Sequence, residues 1–491
     1  MSETVTAKRP EVGIVTQALY GLGGLGGAGK AQLFGLLLIF YTQYVGLDFP
    51  AVSLAIAIAL FVDAFWDPVV GQLSDNTHSR LGRRHPYIYG AVIPAALVFV
   101  LLFNPPMSWS EDSLFFFLVV LLVAGRMLDS LHEIPNSALL PELSSDYDKR
   151  NGIQAWRYFF GATAGRLLAI TLGFGVFLKG TAANKGYGQF NFTNYGPYAI
   201  TVAVISVVVV VVSGLATQRF VPFMQKAERR RASLGDIAGE IGRSISNRNF
   251  VALAASAMIF GISVGISGGL TSYFYTYFWE LGSKQLQLLG YWSIPAGLLG
   301  IILAPYGARW LGKKPACIVT FFLAIFSTTV PITLRLLGVL PPNSSPWVLR
   351  ILIVDAMATA ALANFGFVIV GSMLADVVED VQLRTGRRSE GLLFAADSLL
   401  RKLTTSFAAL FPGLILALVH FPKGKVAPGS VDPHILTNLA LIYLPTTTVL
   451  CLCSTSAIML YGIDRKQHQM TLERLNDAAA MTELADPIAN P

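Results

Sequence analysis

Charge is what this sequence has least of. Only 13% of its 491 residues are Asp, Glu, Lys or Arg, whereas 54% are hydrophobic, and the mean hydropathy is +0.58. That balance excludes an ordinary soluble globular chain and points to a polytopic membrane protein. Cysteine is scarce too. Cys317, Cys451 and Cys453 all fall in apolar stretches, which excludes a disulfide framework or a zinc cluster and predicts small core residues. Enzyme signatures are also missing: there is no H-E-x-x-H helix, and "GLGGLGGAGK" (21–30) follows no strand and lacks the Ser or Thr of a phosphate-binding loop. The chain is therefore not read as an enzyme, and no cofactor is expected. Those glycines suit close packing or bending of a first helix.

Long apolar runs are what the sequence has instead. A helix crossing a bilayer needs about 20 apolar residues, and that window gives twelve spans, the first at 15–46 and the last at 434–461. The first run is too long for a signal-peptide core and no small-residue cleavage pattern follows it. The net charge of +7 is not spread as a nucleic-acid binder would need. Basic residues gather in alternate loops, at Arg80, Arg83 and Arg84, at Arg229 to Arg231, at Lys313 and Lys314, and at Arg384, Arg387 and Arg388. By the positive-inside rule both termini are expected in the cytoplasm of a cell-membrane protein. The partners implied are lipid and a small solute, with no nucleic acid and no obligate protein partner.

The charged stretch 219–247 divides six spans from six, and matching segments recur across it. "FYTQYVGL" (40–47) answers "FYTYFWEL" (274–281), and the loops after the second and fourth spans have counterparts after the eighth and tenth. The expected architecture is an all-α, twelve-helix protein built from two six-helix halves, 1–218 and 248–461, with a linker at 219–247 and a tail at 462–491. Halves repeated with the same topology match the major facilitator fold, whose solute cavity lies near the midplane.

Charges inside the apolar spans mark the function, because each costs about 2.5–3.5 kcal/mol at a helix centre unless paired or wet. In "VDAFWDP" Asp63 and Asp67 stand one turn apart on one helix face. Two such carboxylates repel, so they call for a shared proton or an intervening cation. Asp63, Asp67 and Ser130 offer the oxygen ligands that a sodium ion prefers. "GRMLDSLHEIP" places Arg126, Asp129 or Ser130, and Glu133 on one polar stripe of the fourth span, with His132 off it as a packing residue. In the eleventh span Asp397 precedes Arg401 by one turn as a self-neutralising pair, while Lys402 shares a face with Ser398 and looks to Asp63 and Asp67 for its counter-charge. Lys30 in the first span suits an acidic group on a solute, or pairs with a nearby acid.

"DAFWDPVVGQLSDNTHSRLGRRHP", "EIPNSALLPELSSDYDKRNGIQAWR" and "RRSEGLLFAADSLLRKLTTSFAA" resemble the glycoside–pentoside–hexuronide:cation symporters, the melibiose-carrier-like branch of the major facilitator superfamily. The resemblance implies a cation site at Asp63, Asp67, Ser130 and Lys402. It implies a solute site at Glu133 and Arg157, to which Lys30, Arg126, Asp129 and Ser398 are added from the reading above. It also implies a gating clamp of Asp75 with Arg80, Arg83 and Arg84. The expected activity is symport of a sugar, glycoside or uronate with Na+ or H+ by alternating access. A lysolipid or other amphiphile carrier of the same fold is the alternative, and a membrane sensor a more distant one. Two departures weigh on the details. Gly27 stands where melibiose-type carriers have a sugar-binding aspartate, against a galactoside, and Trp66 replaces an asparagine beside the cation site, against sodium.

Overall fold

The computed structural model describes residues 10–477 apart from 145, 183, most of 225–246, 386–389, 466, 475 and 476. Most of the linker, the basic residues Arg387 and Arg388, and the end of the tail lie outside the described residues. Among those described, every regular element is helical. Eleven helices are long and apolar enough to cross a membrane, and a bent pair makes twelve if counted as one span. In chain order these are α1 (Ile14–Phe34 and Leu37–Val45), α2 (Phe49–Asn76), α3 (His85–Leu102), α4 (Glu111–Leu143), α5 (Asp148–Phe177), α6 (Phe192–Gln218), α7 (Arg248–Phe278), α8 (Ser283–Leu311), α9 (Lys313–Leu336), α10 (Pro346–Leu383), α11 (Leu393–Leu418) and α12 (Pro433–Met459).

Local chemistry sets several of these boundaries. Ser110 accepts from the Ser113 amide to cap α4, whose first turn carries Glu111 and Asp112, where acids favour the helix dipole. Asp146 Oδ1 accepts from the amides of Asp148 and Lys149 and so starts α5. The 43° bend of α1 follows its glycine run, which lets backbones meet: a Cβ on Gly21 would come within 2.7 Å of the Trp156 backbone of α5. The repeated "FYT" segments end α1 and α7 in the same way, each in a π turn, Tyr41–Val45 and Phe274–Phe278. Each turn is followed by a left-handed residue at the matching position, Gly46 at φ 93° and Glu280 at φ 52°.

By packing, the chain divides into two units. One comprises Met1–Arg231, Gly268–Ile294 and Ala409–Leu436, and the other Ala232–Ser267, Pro295–Ala408 and Thr437–Pro491. In the first, a core built on Tyr20, Ile88, Leu139, Ile153, Val210 and Phe220 joins α1 and α3 to α6. In the second, Phe250, Cys317, Phe321, Met373, Leu393 and Ile458 pack together. Cys317 and Cys451 are buried as expected, but Cys453 is exposed. Two residues past Cys451 on a helix, it faces another way.

Candidate functional site

The first unit gathers most of the intramembrane charge. Ser130 Oγ, on α4, lies 2.8 Å from Asp63 Oδ1 and 2.7 Å from Asp67 Oδ1, both on α2. The hydroxyl thus joins the two acids that the helical spacing placed on one face. Between them in sequence, Trp66 turns its indole N–H to the Met127 carbonyl at 3.0 Å. It contributes no oxygen to the acid pair, since indole nitrogen only donates.

At the neighbouring residue of α4, Lys30 Nζ of α1 meets Asp129 Oδ1 at 2.5 Å. The pair is mostly shielded, with side chains 13% and 27% exposed. Of the two roles open to Lys30, the pairing role is the one seen. Glu133 lies within electrostatic reach of Asp129, Arg157, Asp67 and Lys30, is exposed, and makes no hydrogen bond among the described residues. Arg157, on α5, donates to Ser137 Oγ at 3.0 Å and packs over the Tyr20 ring at 5.5 Å. Tyr20 in turn donates to the Asn136 carbonyl at 2.5 Å. Arg126 sits over Phe34, 5.2 Å from the ring centroid, while His132 is half-buried. Four helices, α1, α2, α4 and α5, therefore carry one connected polar wall. It presents two joined carboxylates, a neutralised ion pair, an exposed acid and a propped guanidinium. Such a wall can bind a cation and hydrogen-bond hydroxyls side by side.

At the ends of α2, α3 and α4, Glu142 Oε1 receives Arg83 Nη2 at 2.6 Å and Arg84 Nη2 at 2.6 Å, and Arg84 also reaches Asp75 at 3.1 Å. Arg80 is exposed and joins no ion pair among the described residues. Glu142, Tyr20 and Ser137 were not singled out from the sequence. Glu142 falls in the "LLPELSSDYDK" stretch ahead of Asp146 and Asp148, and nothing in its spacing distinguishes it; Tyr20 and Ser137 read as ordinary helix residues until their partner Arg157 is placed.

In the second unit, Arg401 Nε meets Asp397 Oδ2 at 2.6 Å, as the one-turn spacing predicts. Lys402 is half-buried and Ser398 exposed on the same helix. Two stretches of α7, 261–265 and 265–269, spell G-x-S-x-G. They run mid-helix rather than through a strand-to-helix turn, and Ser263 and Ser267 instead contact Cys451 Sγ at 3.5 Å and Tyr443 Oη at 2.9 Å, so neither serves as a nucleophile elbow.

Comparison with known proteins identifies the family and the fold. The profile of the MFS/sugar transport protein family matches residues 19–465. The isoprimeverose transporter of Lactiplantibacillus pentosus is 25% identical over 92% of this chain and 88% of its own length. The putative glycoside/cation symporter YagG of Escherichia coli is 26% identical over 94% of this chain and 95% of its own. Among solved structures, the D-xylose-proton symporter aligns with a TM-score of 0.57 at 16% identity, covering 90% of this chain and 96% of that one, which shows the shared fold. The chain belongs to the MFS/sugar transport proteins, as a transporter of the glycoside–pentoside–hexuronide:cation symporter family with the major facilitator fold.

Proposed function

We propose that this protein takes up a neutral sugar or glycoside together with a monovalent cation, Na+ or H+, by alternating access in the cell membrane, with both termini cytoplasmic. The observation that carries the reading is the Asp63–Ser130–Asp67 arrangement, two carboxylates joined by one hydroxyl on a wall shared with Glu133 and Arg157. Cation entry relieves the repulsion between the acids. Glu133 and Arg157 supply an acceptor and donors for solute hydroxyls, with Arg126 and Ser398 further candidates. The names of the relatives, an isoprimeverose transporter and a glycoside/cation symporter, support a glycoside as the solute class. A neutral solute is preferred over a uronate because Asp129 already balances Lys30, so no unspent positive charge there awaits an acid. Lys402 enters on the sequence resemblance, and Asp75, Arg83 and Arg84 are the proposed gating group, with Glu142 added.

The test is uptake into proteoliposomes under an imposed cation gradient. Asp67→Asn should abolish gradient-driven accumulation while solute binding to the purified protein persists, because an amide neither takes a proton nor balances a cation. Accumulation at the wild-type level in Asp67→Asn would end the coupling role. Loss of solute binding in Glu133→Gln, with cation binding retained, is the matching expectation for the solute side.

A further inference from the structure

The chain after α12 turns back onto the end of α10, within the second unit. The Gly462 amide donates to Asn249 Oδ1 at 2.8 Å, Lys314 Nζ donates to the Tyr461 carbonyl at 2.7 Å, and residues 467–474 are helical. This course sets His468 against Asp376 and Glu379, which project from one face of α10 at a spacing of three residues. His468 Nδ1 lies 3.3 Å from Glu379 Oε2 and 3.6 Å from Asp376 Oδ1, and the three ligand atoms all lie within 4.8 Å of one another. None of these residues belongs to the polar wall of the first unit.

Two of the atoms need explaining. Glu379 Oε2 and His468 Nδ1 are buried, face each other, and make no hydrogen bond among the described residues. Buried polar atoms are normally satisfied, so two left facing each other at 3.3 Å call for something held between them, a proton on His468 or a cation. Two of the three ligand spacings also fit a cation. With ligand bonds of about 2.1 Å, as zinc makes to imidazole and carboxylate, separations of 3.3 and 3.6 Å subtend roughly 104° and 118° at the ion, on either side of tetrahedral. Lys313 Nζ already bonds Asp376 Oδ1 and Oδ2 at 2.6 and 2.8 Å. Its single positive charge stands against two carboxylates, so the group remains negative. Its contact with Oδ2 is the outer hydrogen bond that metal-ligating carboxylates keep, and its 2.6 Å contact with Oδ1, the atom offered to the ion, lengthens as the ion enters. An imidazole nitrogen in the set favours zinc-like ions over magnesium or calcium, which take oxygen.

We propose that Asp376, Glu379 and His468 bind a divalent transition-metal ion with the ligand preferences of zinc, leaving one position for water, and that the ion clasps the segment after α12 to the end of α10. Full-length protein stripped with chelator and titrated with zinc alone in a calorimeter should bind one equivalent. Affinity should fall at least tenfold in His468→Ala and in Glu379→Gln, the usual range for disturbing a metal site, and excess magnesium should not compete. Both side chains are partly exposed, at 25% and 34%, so the variants should match wild type in melting temperature without metal, and zinc should raise Tm only in wild type. X-ray absorption at the zinc edge should report a mixed nitrogen and oxygen shell. Zinc binding that survives in both variants would place the ion on another of the six histidines and overturn the site. So would the absence of zinc binding with a melting temperature that follows pH, which would leave a proton on His468 as the only clasp.

Discussion

At the scale of single residues, the Lys30–Asp129 pair decides how charge is handled in the wall. Its partners lie on different helices and are largely shielded, so removing one leaves the other as an uncompensated charge. Lys30→Ala is expected to destabilise the protein by about 3 kcal/mol, the lower end for breaking a buried pair, and Lys30→Ala with Asp129→Ala should recover most of that. Denaturation of the detergent-solubilised variants checks it, and additive losses in the double variant would show that the two charges act independently. Much of this wall was legible beforehand. A charge in an apolar span is costly, and helical periodicity put Asp63 and Asp67 on one face, while Ser130 was set beside them by a cation's demand for oxygen ligands and by the family resemblance. The identity of partners across helices was not legible: periodicity fixes which face a residue occupies, not which helix lies opposite. Thus Lys30 stayed open between two roles, and Glu142 went unnoticed although two arginines converge on it.

At the scale of elements, the apolar window found the spans, and the repeated "FYT" segments located matching helix ends. Hydropathy does not report hydrogen-bond register, so it gave no sign of the π turns, nor of the break in α11 between Ala408 and Leu410. Those turns lead to a prediction. After the π turn of α1 the left-handed position is Gly46, but after that of α7 it is Glu280. A side chain in that conformation costs about 1–2 kcal/mol, whereas glycine adopts it freely. Glu280→Gly should therefore raise stability by about 1 kcal/mol, and Gly46→Ala should lower it by a similar amount. Thermal unfolding followed by circular dichroism would read both shifts, and a lower melting temperature for Glu280→Gly would mean that its side chain outweighs the backbone strain.

At the scale of the whole molecule, the first packing unit ties the α1–α2 corner to the ends of α7 and α11. Thr42 Oγ1 and Tyr273 Oη lie 2.6 Å apart, Tyr277 Oη donates to Gln43 Oε1 at 2.9 Å, the Gly413 amide donates to Ser53 Oγ at 2.9 Å, and Lys423 pairs with Asp48. Alternating access requires contacts of this kind to break once per cycle on one side of the membrane. A disulfide between cysteines at 48 and 423 should then stop uptake under oxidising conditions and release it on reduction. Uptake that continues through a fully formed crosslink would show that this corner never opens.

The balance of Lys30 by Asp129 reaches beyond binding to the electrical character of the cycle. If the solute is neutral and one cation accompanies it, each inward turn carries one net positive charge through the bilayer. A potential of 100 mV then contributes about 2.3 kcal/mol per turn, enough by itself for a roughly fifty-fold accumulation. Adding solute to proteoliposomes adsorbed on a capacitive electrode should give an inward transient of positive charge, and an acidic solute carried with a single cation would give none. On the proposed reading, the pairing of one lysine with one aspartate would make the carrier a device that stores membrane voltage as a solute gradient.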